Sequence, residues 1–193
     1  MKTLDTADRS AFQQPGDALP RPHDNCYWLL PGRIIAGEYP SGIDERSSRP
    51  KLRAILSLGV TRFIDLTEVD ELVPYAELMH AEAAAQGRMA KHERHPIRDL
   101  GVPSVARMRT ILDTLESDRD GVTYVHCWGG VGRTGTVAGC LLVHAGFTSE
   151  EAIAILAGKW MVMAKRHRHP RSPETMEQLE FIRAWAMRSA IVP

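Results

Sequence analysis

Short apolar segments alternate with helix-forming segments along most of this chain, and this order is the feature that most limits its fold. Five apolar segments are predicted as strands: residues 26–30, 33–39, 60–67, 90–97 and 121–127. A Pro-Gly pair separates the first two and predicts a tight turn between them. Alternation of this kind indicates an α/β sheet that is covered by helices on both faces.

The segments between and after these strands carry helical signals. Helices are predicted over residues 44–59, 74–87, 104–116, 133–146, 148–158 and 172–188. Ser104 is the expected N-cap of the third helix, and Thr148 with Glu151 forms a capping box at the fifth. Ser172 is the expected N-cap of the last helix, with Pro173 at its first position.

The chain has 193 residues, which is enough for one domain with a substantial core. Residues 1–24 are polar and rich in proline and aspartate, which predicts a flexible N-terminal segment or one laid over the domain without regular structure. No repeat or linker divides the remainder, so residues 25–190 are predicted to form a single domain.

Charge and cysteine content exclude several classes of protein. Lys and Arg number 24, as do Asp and Glu, so there is no global attraction for nucleic acid or an anionic membrane. No segment resembles a signal peptide or a transmembrane helix. The three scattered cysteines, Cys26, Cys127 and Cys140, argue against a disulfide framework or a zinc site. We therefore expect a cytoplasmic monomer with reduced thiols, no cofactor, no metal, and no nucleic-acid or membrane partner.

The sequence VHCWGGVGRTGT (residues 125–136) joins a predicted strand to a predicted helix. Glycines allow successive backbone N–H groups to turn toward one point, and a helix N-terminus adds free N–H groups and a positive dipole end. This loop, residues 127–133, is therefore a candidate phosphate site, and we call it the phosphate loop. Its spacing lacks a Walker lysine and does not match the GxGxxG dinucleotide pattern.

Two side chains give this loop chemistry beyond binding. The planar guanidinium of Arg133 suits two oxygens of a phosphate group. Cations and a helix N-terminus favour the thiolate form of a cysteine, so Cys127 is the candidate nucleophile, although a lone cysteine is commonly a small core residue. Thr134 is expected to donate its hydroxyl to the Cys127 sulfur, and His126 to order the loop.

The His-Cys-x5-Arg-Thr pattern of residues 126–134 resembles the signature of the cysteine-dependent protein tyrosine phosphatases, in particular their dual-specificity branch. The resemblance runs from Trp28 to Trp185 and is most specific at residues 95–104 and 125–136. It implies a mostly parallel central sheet flanked by helices, a catalytic domain over residues 25–190, and a phosphorylated protein as substrate. It also implies that the substrate phosphate contacts these loop residues: Trp128, Gly129, Gly130, Val131, Gly132 and Arg133.

A phosphate ester needs an acid that protonates the departing oxygen, a contribution of about 10²–10⁴-fold. Asp99 lies in HPIRDLGVPS (residues 95–104, the acid loop), 28 residues before Cys127, which resembles the family's acid position. An aspartate on a turn can instead be a plain turn residue. The rival carboxylates are those of Asp65, Glu68 and Asp70, which are expected to be turn or rim residues.

The residue that positions the hydrolytic water is left open by the sequence. The resemblance places Glu174 where the family carries its water-positioning glutamine and Gln178 at a second family glutamine. Asp99 could also serve both steps, as acid and then as base. Cys140 is expected in the core, and packing is favoured over a redox role for Cys26.

The basic run at residues 165–171 is interpreted as a solvated helix end, with a position beside the active site as the alternative.

Hydrolysis of phosphoprotein is the favoured function, since the residues between Cys127 and Arg133 are uncharged. A phosphoinositide or inositol phosphate phosphatase is the main alternative. A non-catalytic phosphate-binding module and a sulfur-transfer or arsenate-reducing enzyme are weaker ones.

Overall fold

A computed structural model describes residues 6–117 and 121–190. Five strands form one sheet in the order β1-β2-β5-β3-β4. Their bounds are Cys26–Leu30 (β1), Ile34–Gly37 (β2), Val60–Asp65 (β3), Lys91–Arg94 (β4) and Val122–His126 (β5). Among the strands of the described residues, only β1 runs antiparallel to its neighbour, whereas β2, β5, β3 and β4 are mutually parallel. The predicted α/β class and mostly parallel sheet are confirmed.

Helices cover both faces of this sheet. Their bounds are Thr6–Phe12 (α1), Glu45–Ser57 (α2), Ala76–Ala85 (α3), Val105–Ser117 (α4), Arg133–His144 (α5), Ser149–Trp160 (α6), Met176–Arg183 (α7) and Trp185–Ala190 (α8), with a short 3₁₀ helix at Ala164–His167. On one face, α2 and α3 bury Leu52, Ile55 and Met79 against the sheet. On the other face, a larger cluster that includes Met108 and Leu141 joins α4, α5 and the later helices.

The N-terminal segment differs from its prediction, because residues 6–12 form α1 rather than irregular chain. Phe12 is fully buried and meets Phe147 edge to face. Arg9 lies over the Phe147 ring and donates to the Gly146 carbonyl at 2.7 Å. These tertiary contacts explain a helix that is too short to be stable alone. Residues 1–5 lie outside the described residues, and the domain boundary at residue 25 stays a prediction.

The last predicted helix is divided in two and begins later than expected. Thr175, rather than Ser172, caps α7, and its side chain forms a capping box with Gln178. Ser172 is instead buried, and its hydroxyl donates to the Val131 carbonyl at 2.7 Å. The predicted caps at Ser104 and Thr148 are confirmed.

The topology fixes the position of the phosphate loop. Strand β5 lies between β2 and β3, so the loop that follows His126 leaves the sheet at the middle of its carboxyl edge. Ligands of open α/β sheets bind at this edge.

Among the described residues, no helix combines the length and the hydrophobicity needed to span a membrane.

Candidate active site

The phosphate loop connects the end of β5 to Arg133, the first residue of α5. Gly130 has φ +72°, and a side-chain carbon there would lie 2.6 Å from the Gly37 carbonyl oxygen and 2.8 Å from the Glu38 nitrogen. A side-chain carbon on Gly132 would lie 2.9 Å from the Gln178 amide. Glycine is required at Gly130, where φ is positive and the neighbours are backbone atoms, whereas a side chain on Gly132 would displace the Gln178 amide.

Three carbonyls of this loop are held by donors from three other parts of the chain. The bonds are Tyr39 N to Trp128 O at 2.8 Å, Lys165 Nζ to Gly129 O at 2.7 Å, and Ser172 Oγ to Val131 O at 2.7 Å. In a trans peptide unit the C=O and the following N–H point in opposite directions. The N–H groups of Gly129, Gly130 and Gly132 therefore point away from these donors, as an anion cradle requires.

The loop forms the floor of a cavity of about 380 Å³, which we call the active-site cavity. Cys127 lines it and is only 3% exposed. Arg133 and Asp99 line it as well. The structure thus brings together the predicted nucleophile, cation and acid, although the acid comes from a separate segment of the chain.

Arg133 is fixed by an extensive network. Its guanidinium is 2% exposed and donates to both carboxylate oxygens of Glu71, at 2.7 and 2.6 Å. It also donates to the Ile97 carbonyl at 3.2 Å and contacts Asp99 Oδ1 at 2.9 Å. Burial opposes its charge, but the Glu71 hydrogen bonds and the nearby acidic groups outweigh burial and raise the pKa of Arg133. Its Nε is buried without a hydrogen-bond partner among the described residues, so one donor remains for a ligand.

Glu71 is a functional residue that the sequence does not single out. It lies in the connection between β3 and α3, beside the rivals Glu68 and Asp70. Burial would raise the pKa of Glu71, but hydrogen bonds from Arg133 and from the Glu68 backbone hold it below its ordinary value. We assign Glu71 the role of orienting Arg133, since a bidentate carboxylate fixes the plane of the guanidinium.

The rival carboxylates lie outside the active-site cavity, whereas Asp99 lines it and is 51% exposed. Asp65 is fully buried at the end of β3 and accepts hydrogen bonds from Thr67, His92 and Arg94. Burial alone would raise the pKa of Asp65, but the hydrogen bonds from His92 and Thr67, together with the nearby His126, outweigh burial and hold the pKa well below its usual range. Asp65 is therefore a structural anion at the end of its strand.

His126 and Thr134 are both fully buried beside the nucleophile. His126 contacts the Tyr75 hydroxyl through Nε2 at 2.7 Å, and burial lowers its pKa to about 4, which keeps the ring neutral near pH 7. The predicted hydrogen bond from Thr134 to the Cys127 sulfur is not formed. The Thr134 hydroxyl has no hydrogen-bond partner among the described residues, so its role in stabilising the sulfur stays a prediction.

The candidates for positioning water differ in access to the cavity. Gln178 is fully buried, donates to Gly101 O at 3.0 Å, and accepts from the N–H groups of Glu174 and Thr175 at 3.1 Å each. Its amide thus ties the acid loop to the start of α7. Glu174 lines the cavity, with Oε1 3.6 Å from His169 Nδ1. Glu174 and Asp99 are accordingly better placed than Gln178 to meet a water molecule.

The basic run borders the active site through two of its members. Lys165 holds the Gly129 carbonyl, and His169 lines the active-site cavity. The interpretation of this run as only a solvated helix end is therefore wrong for these residues.

Cys26 and Cys140 are buried, free and absent from the cavity lining. Burial raises the pKa of Cys26 to about 11, which disfavours a reactive thiolate.

Comparisons with known proteins agree with this geometry. Residues 23–182 match the family model described as "PTP-SAK: Swiss Army Knife protein, DSP-PTPase phosphatase domain". The chain is 28% identical to the tyrosine-protein phosphatase CDC14 homolog of Schizosaccharomyces pombe over 132 residues, which are 67% of this chain and 25% of that relative. For two other curated relatives, the matched region is 17% and 30% of the relative's own length. The chain thus spans well under two thirds of the length of the curated relatives it matches.

Two solved structures illustrate the likeness in fold. Tk-PTP in its active form is 27% identical, with a TM-score of 0.58 over 81% of this chain and 92% of that chain. Kinase-associated phosphatase, with its catalytic cysteine replaced by serine, is 20% identical, with a TM-score of 0.62 over 83% and 89%. The chain belongs to the family of cysteine-dependent phosphatase domains of the dual-specificity type, and the resemblance seen in the sequence is confirmed.

Proposed function

We propose that this protein hydrolyses phosphomonoesters on phosphoproteins through a covalent cysteinyl-phosphate intermediate. One observation carries the proposal: Cys127, Arg133 and Asp99 line the same cavity above a loop whose carbonyls are turned outward. A thiolate, a fixed cation and a carboxyl group in one cavity are the set that phosphoryl transfer to cysteine requires.

In the first step, the phosphate lies over the N–H groups of the loop, and Arg133 binds its oxygens. Because Asp99 contacts the Arg133 guanidinium at 2.9 Å, the phosphate replaces Asp99 at that nitrogen. The Cys127 sulfur forms a bond to phosphorus while the bond from phosphorus to the leaving oxygen breaks. Protonated Asp99 gives its proton to that oxygen, which departs as the alcohol or phenol of the substrate residue.

In the second step, water attacks phosphorus, the phosphorus–sulfur bond breaks, and the Cys127 thiolate is regenerated. A carboxylate accepts the proton of the water, and Asp99 or Glu174 can do so because both line the cavity. The products are inorganic phosphate and the dephosphorylated residue. Since the nucleophile must stay a reduced thiol, we also propose a cytoplasmic location.

The experiment that tests this function is phosphate release from phosphotyrosine, phosphoserine and phosphothreonine peptides, with and without a chelator. Release that is unaffected by the chelator and absent in Cys127→Ser supports the proposal. Release that requires an added metal, or that persists in Cys127→Ser, would contradict it. A phosphatidylinositol phosphate in the same panel tests the main alternative.

A further inference from the structure

A second cavity, of about 390 Å³, adjoins the active-site cavity. The two cavities share Trp128 and Gly129 as a common wall. The second one, which we call the flanking cavity, opens on the side of the loop that faces the residues after β2 and before α3. A ligand group that extends beyond the phosphate on this side would enter it.

The rim of the flanking cavity is apolar and exposed. Ile43 is 90% exposed, Trp128 59% and Val73 58%, and Leu72 lines the same cavity with partial exposure. These residues come from three separate loops that meet beside the nucleophile. Exposed apolar side chains that cluster around one concave surface mark a site for another molecule rather than a solvated face.

The charged groups of the flanking cavity are already paired. Glu38 accepts from Lys51 and from Lys165, each at 2.7 Å. Lys51 also donates to Tyr39 O at 2.6 Å, and Lys165 donates to Gly129 O at 2.7 Å. Each ammonium group thus has two of its three N–H donors engaged within the protein, and Glu38 offsets one of the two positive charges. These charged side chains are 18–22% exposed, whereas Ile43, Trp128 and Val73 are 58–90% exposed. The surface that the flanking cavity offers to a ligand is therefore mainly apolar.

We propose that the flanking cavity binds an apolar side chain of the phosphoprotein substrate, adjacent in sequence to the phosphorylated residue. An extended peptide advances about 3.3 Å per residue, and the two cavities share Trp128 and Gly129, so a residue that flanks the phosphorylated one can reach the flanking cavity. Ile43 and Val73 are then specificity residues that do not touch the reacting atoms. This inference rests on the proposed function and names the substrate feature that its site selects.

The test compares Ile43→Ser and Val73→Ser with the wild type on two kinds of substrate. Phosphopeptides that differ only by Leu, Gly or Asp at each position flanking the phosphorylated residue report the flanking cavity. 4-Nitrophenyl phosphate reports the active-site cavity alone. Met89→Ser is the matched control, because Met89 is 86% exposed and lines a different cavity, beside the start of β4.

The wild type should prefer Leu over Gly at one flanking position by about ten-fold in kcat/KM, the effect of burying part of one apolar side chain. Each variant should lower this preference to less than about three-fold while leaving turnover of 4-nitrophenyl phosphate unchanged, and Met89→Ser should change neither. An unchanged preference in both variants would overturn the inference, as would an equal loss on 4-nitrophenyl phosphate. A loss confined to a soluble phosphatidylinositol phosphate would assign the cavity to a lipid headgroup instead. A wild type inactive on every substrate would overturn the proposed function itself.

Discussion

Glu71→Gln is the substitution that most sharply tests how the site holds its cation. In the wild type, both carboxylate oxygens of Glu71 accept from Arg133, at 2.7 and 2.6 Å. The amide keeps the shape of the side chain but replaces one acceptor by an NH₂ group, which faces a guanidinium donor. Arg133 retains Ile97 O and Asp99 as partners, so it stays buried but is held less firmly.

The size of the effect follows from the bond that is lost. A hydrogen bond to a charged group contributes about 1.5–3 kcal/mol, and about 1.4 kcal/mol corresponds to a factor of ten in rate. If the lost energy falls on the transition state, kcat/KM should decrease by about 10-fold to 100-fold. Any part of the energy that does not fall on the transition state should appear as a lower Tm.

The assay is kcat/KM for 4-nitrophenyl phosphate, with Tm measured on the same preparations. Glu68→Gln is the control, since Glu68 lies on the same connection but its side chain is exposed and is not among the hydrogen-bond or ion-pair partners of Arg133 in the described residues. Glu68→Gln should stay within about two-fold of the wild type. If Glu71→Gln also stays within about two-fold and its Tm does not change, then Glu71 does not orient Arg133 and the argument is wrong.

Three further results are expected. Arg133→Lys should lose about 10²–10³-fold in kcat/KM, because lysine cannot make the two-pronged contact with phosphate; a loss of only a few-fold would remove that role. Asp99→Asn should make kcat/KM depend more steeply on leaving-group pKa across a series of phosphate esters, and parallel dependences would mean that the acid lies elsewhere. The free energy of unfolding should decrease as the pH falls from about 6.5 to about 4, because burial lowers the pKa of His126 to about 4 and the unfolded chain binds the proton first. A His126→Asn variant should show a flatter profile by chemical denaturation, and an equally steep profile in that variant would refute the assignment.

The catalytic loop and the acid could be predicted from the sequence because each depends on local spacing. Cys127 and Arg133 are set by one strand, one glycine-rich turn and one helix start, all of which are visible in residues 121–146. Asp99 lies on a turn directly before a capped helix. The strand order places these two segments at the same edge of the sheet.

The contacts that orient these residues could not be predicted, because they depend on tertiary packing. Glu71 is one of several carboxylates in residues 65–71, and only the path of that connection brings it to Arg133. Ser172 carries a convincing helix-cap pattern, yet its hydroxyl bonds to the phosphate loop. In the sequence, Lys165 belongs to a basic run that predicts a solvated surface, whereas in the structure its ammonium group donates to the Gly129 carbonyl of the phosphate loop. No periodicity marks such long-range partners.

The central claim is that Cys127 carries the phosphoryl group between the two steps. The most direct measurement is a rapid acid quench during turnover of a ³²P-labelled phosphopeptide, followed by mapping of the labelled residue by mass spectrometry. The account predicts label on Cys127 in the wild type and none in Cys127→Ser, which should still fold and bind inorganic phosphate. Label on another residue, or turnover of Cys127→Ser near the wild-type rate, would contradict the account.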